Sequence, residues 1–424
     1  MRSLAALLLL LLAGVSTGQS AAFSHSAAPI DLTTAAYRYF HENPELGKRE
    51  ALAHYYIVAR INEIGGLQIE AVPSLPTAVI AVLDSGTPGP TIALRADMDA
   101  RRLDEGAEEP AHHSPRSRIP GLMHNCGHDA HSAMLLGALA QLARERATLS
   151  GKIVFVFQPA EETRGGADDI IASGVLQRLG VQAIFAQHAA PGLAVGEVSL
   201  GGGLAGSTTF RLTLHGTAVH AAIPYEGSDL ALTGARFVEA LATLPAHGWD
   251  MANRPAVITV TRINTPEGTV NATPAEITIE GTIRAFEPLE RADNGPSISS
   301  IINQRVQALA TLYGVRAELS LTPGAPPTIN DQSLANTMIP ALQRSDRFRL
   351  TTSRERGMFA EDFAFYTSEM PALYFALGIA RDSLGSAPVH TSAFTIHPDA
   401  LPIGIDFLVS LARSAGSSLP LGSD

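Results

Sequence analysis

Eight consecutive residues, His124-Asn125-Cys126-Gly127-His128-Asp129-Ala130-His131, bring one thiol, three imidazoles and a carboxylate into a short stretch. These are the side chains that ligate or orient a divalent metal. Cys126 is the only cysteine of the chain, so it can form no intramolecular disulfide. A buried, inert thiol is the plainer use of a lone cysteine, and the density of ligand types around it argues against that use. A second stretch, Gln158-Pro159-Ala160-Glu161-Glu162, sets two carboxylates side by side. Their mutual repulsion is costly without a cation; with one, one carboxylate can ligate while the other takes a proton from bound water. An isolated Glu-Glu pair is ordinarily a solvated acidic loop, but this one follows an apolar strand pattern.

Elements must bring these stretches together. Apolar spacing predicts helices over Asp31 to Asn43 and Ala51 to Ile64, separated by the break from Pro44 to Gly47. The period then changes: Thr77 to Leu83, Thr91 to Ala96, Lys152 to Gln158 and Ala183 to His188 read as strands, and Ala133 to Ala143 as a helix. Such alternation predicts an α/β catalytic domain with a largely parallel mixed sheet flanked by helices, its site at the carboxyl ends of the strands. Asp97 and Glu161 follow two such ends. From about Ser207 a separate unit is expected: strands Thr209 to Leu214, Ala256 to Ile263, Glu276 to Ala285 and Val315 to Leu321 with helices Asp229 to Leu244 and Ile298 to Tyr313. Two helices among four strands suit a small α+β sandwich. The expected division is therefore a catalytic domain over 28–206 and 326–415, an inserted lid or dimerisation domain over 207–325, and a frayed tail over 416–424.

Composition excludes several classes. The 424 residues are 46% hydrophobic and 17% charged, as an ordinary globular protein is. A net charge of −11 repels phosphate backbones and anionic membranes, so nucleic acid is a poor partner. The N-terminus has Arg2 before an apolar run from Leu4 to Ala13 and then small, polar residues, the layout of a secretory signal peptide, with 1–22 as its expected extent. No later segment has the ~20 apolar residues needed to span a bilayer. The expectation is an exported protein, periplasmic or secreted.

Nine short motifs in order carry a resemblance over nearly the whole mature chain. They are Leu94-Arg95-Ala96-Asp97-Met98-Asp99, Met123 to His131, Gln158 to Glu162, Gln187-His188-Ala189-Ala190-Pro191, His220-Ala221-Ala222-Ile223-Pro224, Asn271-Ala272-Thr273-Pro274, Gly281-Thr282-Ile283-Arg284, Glu361-Asp362-Phe363 and Val389-His390-Thr391. Together they resemble the aminoacylase-like co-catalytic metallopeptidases, in the branch of hippurate hydrolases, N-acyl amino acid amidohydrolases and indole-acetyl-amino-acid hydrolases. The resemblance implies that Cys126, His128, Glu162, His188 and His390 hold two divalent metals per subunit, with the Cys126 thiolate as bridge. Such ligands suit zinc and leave manganese, nickel and cobalt open. It further implies Glu161 as general base and His220 as a histidine that crosses a homodimer to stabilise the oxyanion in the partner's site. Asn271 and Arg284 are implied to grip the substrate carboxylate, and Asp99 is read as an orienter standing behind the ligands.

The chain departs from that pattern in places. It has Asp99-Ala100-Arg101-Arg102-Leu103 where Asp-Ala-Leu-Pro is usual, Asn125 where a small residue is common, and Ala360 for a usual Ser or Gly. No ligand is lost, but these changes bear on acyl-group and amino-acid preference. His112 and His113 are expected to be solvated loop residues. The leading function is metal-dependent hydrolysis of an N-acyl or N-aminoacyl amino acid; a dipeptidase or carboxypeptidase of the same family and an inactive binding protein on the same fold are the alternatives. The presence of Glu161 and of all five ligand candidates argues against the last.

Overall fold

The computed structural model describes residues 28–420 apart from 164, 292–294 and 354; the expected leader over 1–22 lies outside the described residues. The chain begins with helices α1 (Pro29–Glu42) and α2 (Ala51–Ile64), strands β1 (Gln68–Glu70), β2 (Val79–Asp84) and β3 (Thr91–Asp97), the ribbon of β4 (Arg101–Arg102) with β5 (Leu122–Met123), and helix α3 (His128–Arg144). Strand β6 (Lys152–Gln158), helices α4 (Ala167–Ala172) and α5 (Val175–Arg178), and strands β7 (Ala183–Ala194) and β8 (Glu197–Leu200) follow. A second sheet unit then comprises β9 (Gly206–His215), α6 (Leu230–Gly248), β10 (Ala256–Asn264), β11 (Glu276–Ala285), α7 (Ile298–Tyr313) and β12 (Arg316–Pro323). The chain returns with α8 (Gln332–Leu342), β13 (Arg349–Thr352), α9 (Ala364–Glu369), β14 (Ala372–Ala380) and α10 (Ala400–Ser418).

The first unit is an eight-stranded mixed sheet in the order β1-β2-β6-β3-β7-β14-β8-β13. Its centre, β6-β3-β7-β14, is parallel throughout. Strand β6 is apolar at every position from Ile153 to Phe157 because both of its faces are covered. Ile153, Phe155 and Phe157 pack with α1, α2, α3, α8 and α10, while Val154 and Val156 pack with α4, α5 and α9. The second unit is a four-stranded antiparallel sheet, β10-β11-β9-β12, with α6 and α7 on one face around Phe210, Phe237, Leu241, Ile302 and Val306. Along β11 every second residue is buried and the alternate ones, Arg284 among them, are only partly covered.

Three expected bounds need correction. Helix α3 begins at His128, five residues before the predicted Ala133, because His128, Asp129, His131 and Ser132 are polar yet buried and so hide the apolar period. Strand β7 runs on to Ala194 past His188. The tail from Gly416 is not frayed at its start: α10 continues to Ser418, with Ala415 buried. Among the described residues no helix is long and apolar enough to cross a membrane.

Candidate active site

Four pieces of backbone set the site at the carboxyl edge of the parallel strands. Asp97 ends β3 opposite Gln158, the last residue of β6; His188 lies on β7 beside Ala376 of β14; and α3 starts at His128. Gly127, just before α3, has φ of 99°, a conformation that penalises a side chain. A Cβ there would also come within 3.0 Å of Ala189 Cβ. The bend lets the ligand atoms of Cys126 and His128 approach within 4.8 Å of one another. Two residues that are not glycine, Ala160 (φ 59°) and His390 (φ 68°), hold the same left-handed conformation beside the site. Ala160 is held by its N–H donating to buried Glu50 at 2.8 Å, and His390 by its N–H donating to the Asn125 carbonyl at 2.7 Å.

The imidazoles are oriented as metal ligands would be. His128 donates from Nδ1 to the Asp99 carbonyl at 2.9 Å, and His188 from Nδ1 to the Ala189 carbonyl at 2.8 Å. Each ring then presents Nε2 as a lone pair, the usual arrangement behind a metal-bound histidine. His128 Nε2 is buried with no hydrogen-bond partner among the described residues, and His188 Nε2 is 3.4 Å from Cys126 Sγ. Ligand atoms of Cys126, His128 and Glu162 lie within 4.8 Å of one another, as do those of Asp97, His128, His131 and His188. His390 brings Nε2 to 3.2 Å from Glu162 Oε1. An orphaned imidazole nitrogen in a nest of thiol and carboxylates is the donor set a divalent cation fits.

His131 belongs to that neighbourhood but has no free nitrogen. Its Nδ1 donates to Asp97 Oδ1 at 2.6 Å and its Nε2 accepts the Ala189 N–H at 2.8 Å. It therefore positions Asp97 and the strand bearing His188.

Electrostatics follow from burial and crowding. Burial lowers the His188 pKa to about 4, so the ring is neutral and free to ligate, and burial pushes the Cys126 thiol well up. Burial works against a charged His128, yet Asp97 and Cys126 outweigh it and raise its pKa well above the ordinary value. The same surroundings that attract a proton there would attract a cation. Burial, then Glu361 and Asp362, raise the pKa of Glu161 well above the usual carboxylate range. Burial also opposes ionisation of Glu162, but His390, His128 and Arg101 hold it below its ordinary value. Two adjacent carboxylates are thus pushed apart in proton affinity, as an acid–base residue and a ligand should be.

Behind them lies a network that the motifs do not reveal. Asp99 accepts the Glu161 N–H with Oδ1 at 3.1 Å and the Glu162 N–H with Oδ2 at 3.0 Å, so it sets both carboxylates as well as His128. Arg95, 2% exposed, donates to Asp97 (2.7 Å), Glu361 (3.0 Å), Asp362 (2.8 Å) and Gln158 (3.0 Å). Tyr374 donates to Glu361 at 2.7 Å. Three carboxylates share one guanidinium beside the ligand cluster, and burial, with Glu361 next to it, raises the pKa of Asp362 to about 8. The signal for Arg95 was available, since a charged residue inside an apolar strand must be paired; its partners 266 and 267 residues away were not.

The residues of the second unit are not joined to this cluster by any hydrogen bond or ion pair among those described for it. His220 is exposed and accepts the Ala222 N–H at 3.1 Å; its neighbour Ala221 donates from N–H to the Asn271 carbonyl at 2.8 Å, so His220 and Asn271 form one corner. Arg284 is elsewhere. It pairs in register with Ser207 and Val257, at the end of β11 far from Asn271, which precedes Glu276. Eight residues of strand separate Glu276 from Arg284, roughly 27 Å, so one copy of the unit cannot close Asn271 and Arg284 on the same carboxylate. The Arg284 guanidinium has no carboxylate partner among the described residues, and partial burial lowers its pKa.

His112 is exposed, as expected, but His113 is not a solvated loop residue. Its side chain is 5% exposed and its Nδ1 donates to Glu109 at 3.2 Å. Glu109 also accepts from His41 Nε2 at 2.9 Å, and His41 Nδ1 contacts Asp129 at 2.6 Å. The loop is thereby tied to α1 and α3, an anchorage that the polar sequence from 104 to 118 conceals.

Comparison with known proteins gives the same outline. The family model described as Peptidase family M20/M25/M40 matches residues 93–414. An N-acetylcysteine deacetylase of Bacillus subtilis is 32% identical over 378 residues, 88% of this chain and 94% of the relative. An IAA-amino acid hydrolase of Arabidopsis thaliana is 34% identical over 383 residues, 88% and 83% of the two chains. The crystal structure of a dinuclear metal-binding peptidase of the M20 family from Bacillus subtilis superposes with a TM-score of 0.79 at 28% identity, covering 92% of this chain and 99% of that one.

Proposed function

Since the chain belongs to peptidase family M20/M25/M40, whose members here are metal-dependent amide hydrolases, we propose that it cleaves the amide bond of N-acyl or N-aminoacyl amino acids. The observation that carries this reading is the pair of imidazoles, His128 and His188, whose Nδ1 atoms are committed to backbone carbonyls while His188 Nε2 meets the Cys126 thiol and His128 Nε2 has no hydrogen-bond partner among the described residues. Cys126, His128, Glu162, His188 and His390 would hold two divalent cations, with zinc the best match to thiolate, imidazole and carboxylate together. When bound, such ions polarise a carbonyl and make water more acidic.

The chain's own groups account for the rest. Glu161, largely covered beside the ligands with the Asp362 N–H 3.4 Å from its Oε1, receives a proton from the attacking water and returns it to the leaving amine. Arg95, Asp97 and His131 keep the ligand-bearing strands in register. Arg284, lacking a protein carboxylate, takes the carboxylate of the substrate from the same subunit. The corner that carries His220 and Asn271 lies at the other end of the lobe, which fits delivery into the site of a second copy, where His220 donates to the developing oxyanion. The two edge strands of the small sheet, β10 and β12, offer the surfaces on which such a homodimer could form. The N-terminal pattern supports export, which N-terminal sequencing of the mature protein and its recovery outside the cytoplasm would test.

The function is tested by metal analysis of purified protein beside an assay panel of N-acetyl, N-benzoyl and N-aminoacyl amino acids. Two metal equivalents per chain and turnover of at least one class are expected. Protein that retains two equivalents but hydrolyses none of the panel would overturn the reading.

A further inference from the structure

Arg101 stands where the resembled pattern carries leucine, and its position gives it a use. Residues of β4 alternate in direction, and Arg101 is the inward of its two arginines, paired in register with Met123 three residues before Cys126. The Ala100 N–H donates to the Glu45 carbonyl at 2.7 Å and fixes the backbone beside it. The Arg101 guanidinium comes to 3.5 Å from Glu162 Oε2, on the carboxylate oxygen away from His390, and its side chain remains one-third exposed. Among the described residues its guanidinium has no other partner. A guanidinium has five N–H donors in a planar fork; a single contact at 3.5 Å, longer than a good hydrogen bond, leaves most of them without a protein acceptor on a side chain that is one-third exposed.

A positive fork with spare donors a few ångströms from the reacting centre selects for negative charge on whatever enters. Arg284, on the other lobe, is assigned the carboxylate of the amino-acid half. We propose that Arg101 is a specificity-determining residue for the acyl half, and that the enzyme prefers N-acyl amino acids whose acyl chain ends in its own carboxylate. This rests on the amide-hydrolase reading above. Hydrolysis would then release an amino acid and a dicarboxylate, with one water consumed.

The test compares N-succinyl, N-glutaryl and neutral N-pentanoyl derivatives of one amino acid, using metal-loaded wild type, Arg101→Leu and Arg101→Lys, with metal content measured for each protein. The expected result is a kcat/KM at least tenfold higher for the better dicarboxylic acyl substrate than for the pentanoyl one. That ratio should fall to within about twofold of unity in Arg101→Leu and recover in part in Arg101→Lys. A wild-type ratio near unity, or a ratio that Arg101→Leu leaves unchanged, would overturn the inference alone. An equal fall on all substrates accompanied by metal loss would overturn it too, by showing that Arg101 only supports Glu162. If metal-loaded wild type turns over no member of the series and none of the wider panel, the amide-hydrolase reading fails and takes this inference with it.

Discussion

Cys126 is buried, and that burial holds its thiol well above the ordinary range. A thiolate there needs a cation beside it. Alkylation of Cys126 should therefore be slow in metal-loaded protein and accelerate at least tenfold when a chelator strips the ions; equal rates would remove the thiolate from the site. Glu161 and Glu162 are adjacent in sequence but differ in surroundings, one crowded by Glu361 and Asp362, the other beside His390 and Arg101. Glu161→Gln should lose ~10² or more in turnover while keeping its metals, because it removes the proton carrier and leaves the ligands. Glu162→Gln should instead lose metal occupancy. Elemental analysis beside steady-state rates distinguishes the two, and the reverse pattern would exchange their roles.

At the scale of elements, the site depends on how strands and helices end. Gly127 joins the Cys126 loop to α3 in a left-handed conformation with Ala189 packed against it. Gly127→Ala should cost about 1–3 kcal/mol in stability and reduce metal affinity, since the strain is relieved only by turning Cys126 or His128 away. Chemical denaturation of the metal-free proteins and metal titration of both would check this; an unchanged titration would place the two ligands under other control. Strand β11 makes a different point. Its length separates Arg284 from the His220–Asn271 corner, and on the proposed reading the two ends of the small lobe would serve different sites. Mixing inactive His220→Ala with inactive Glu161→Gln should restore up to about half of the wild-type rate per heterodimer, since one of its two composite sites is then intact. No recovery from verified heterodimers would argue against sharing across the interface and leave His220 acting in its own subunit or as a structural residue.

For the molecule as a whole, His41 links three segments, α1, α3 and the loop that carries Glu109. Burial alone would lower its pKa, but hydrogen bonds and charge from Asp129 and Glu109 outweigh burial and raise it to about 9. A group whose folded pKa is raised gives stability that is complete below its unfolded value near 6.5 and is lost as the pH rises through about 9. The loss should approach about 3 kcal/mol between those limits. Urea midpoints from pH 6 to pH 10 should show this decline in wild type and much less of it in His41→Gln. Parallel declines in the two proteins would assign the alkaline loss to other groups.

What the sequence alone determined was local or ordered along the chain. Helix α2 and strand β6 have the bounds that their apolar patterns predict, because α2 buries one regular stripe and β6 is a continuous apolar run covered on both faces. The ligand types and the Glu161-Glu162 pair were readable because few chemistries use those residues at that spacing. Tertiary structure decided what depends on distant partners. The start of α3 was hidden, since a helix buried on all sides needs no apolar stripe and can carry His128, Asp129 and His131 inward. That His131 is saturated while His128 has a free nitrogen depends on Asp97, the Asp99 carbonyl and the Ala189 N–H, none of them predictable from spacing. Arg95 meets Glu361 and Asp362 only because β3 and the segment before α9 converge under the site. Asn271 and Arg284 look like one carboxylate clamp in sequence, and the extended geometry of a single strand sets them at opposite ends of a lobe.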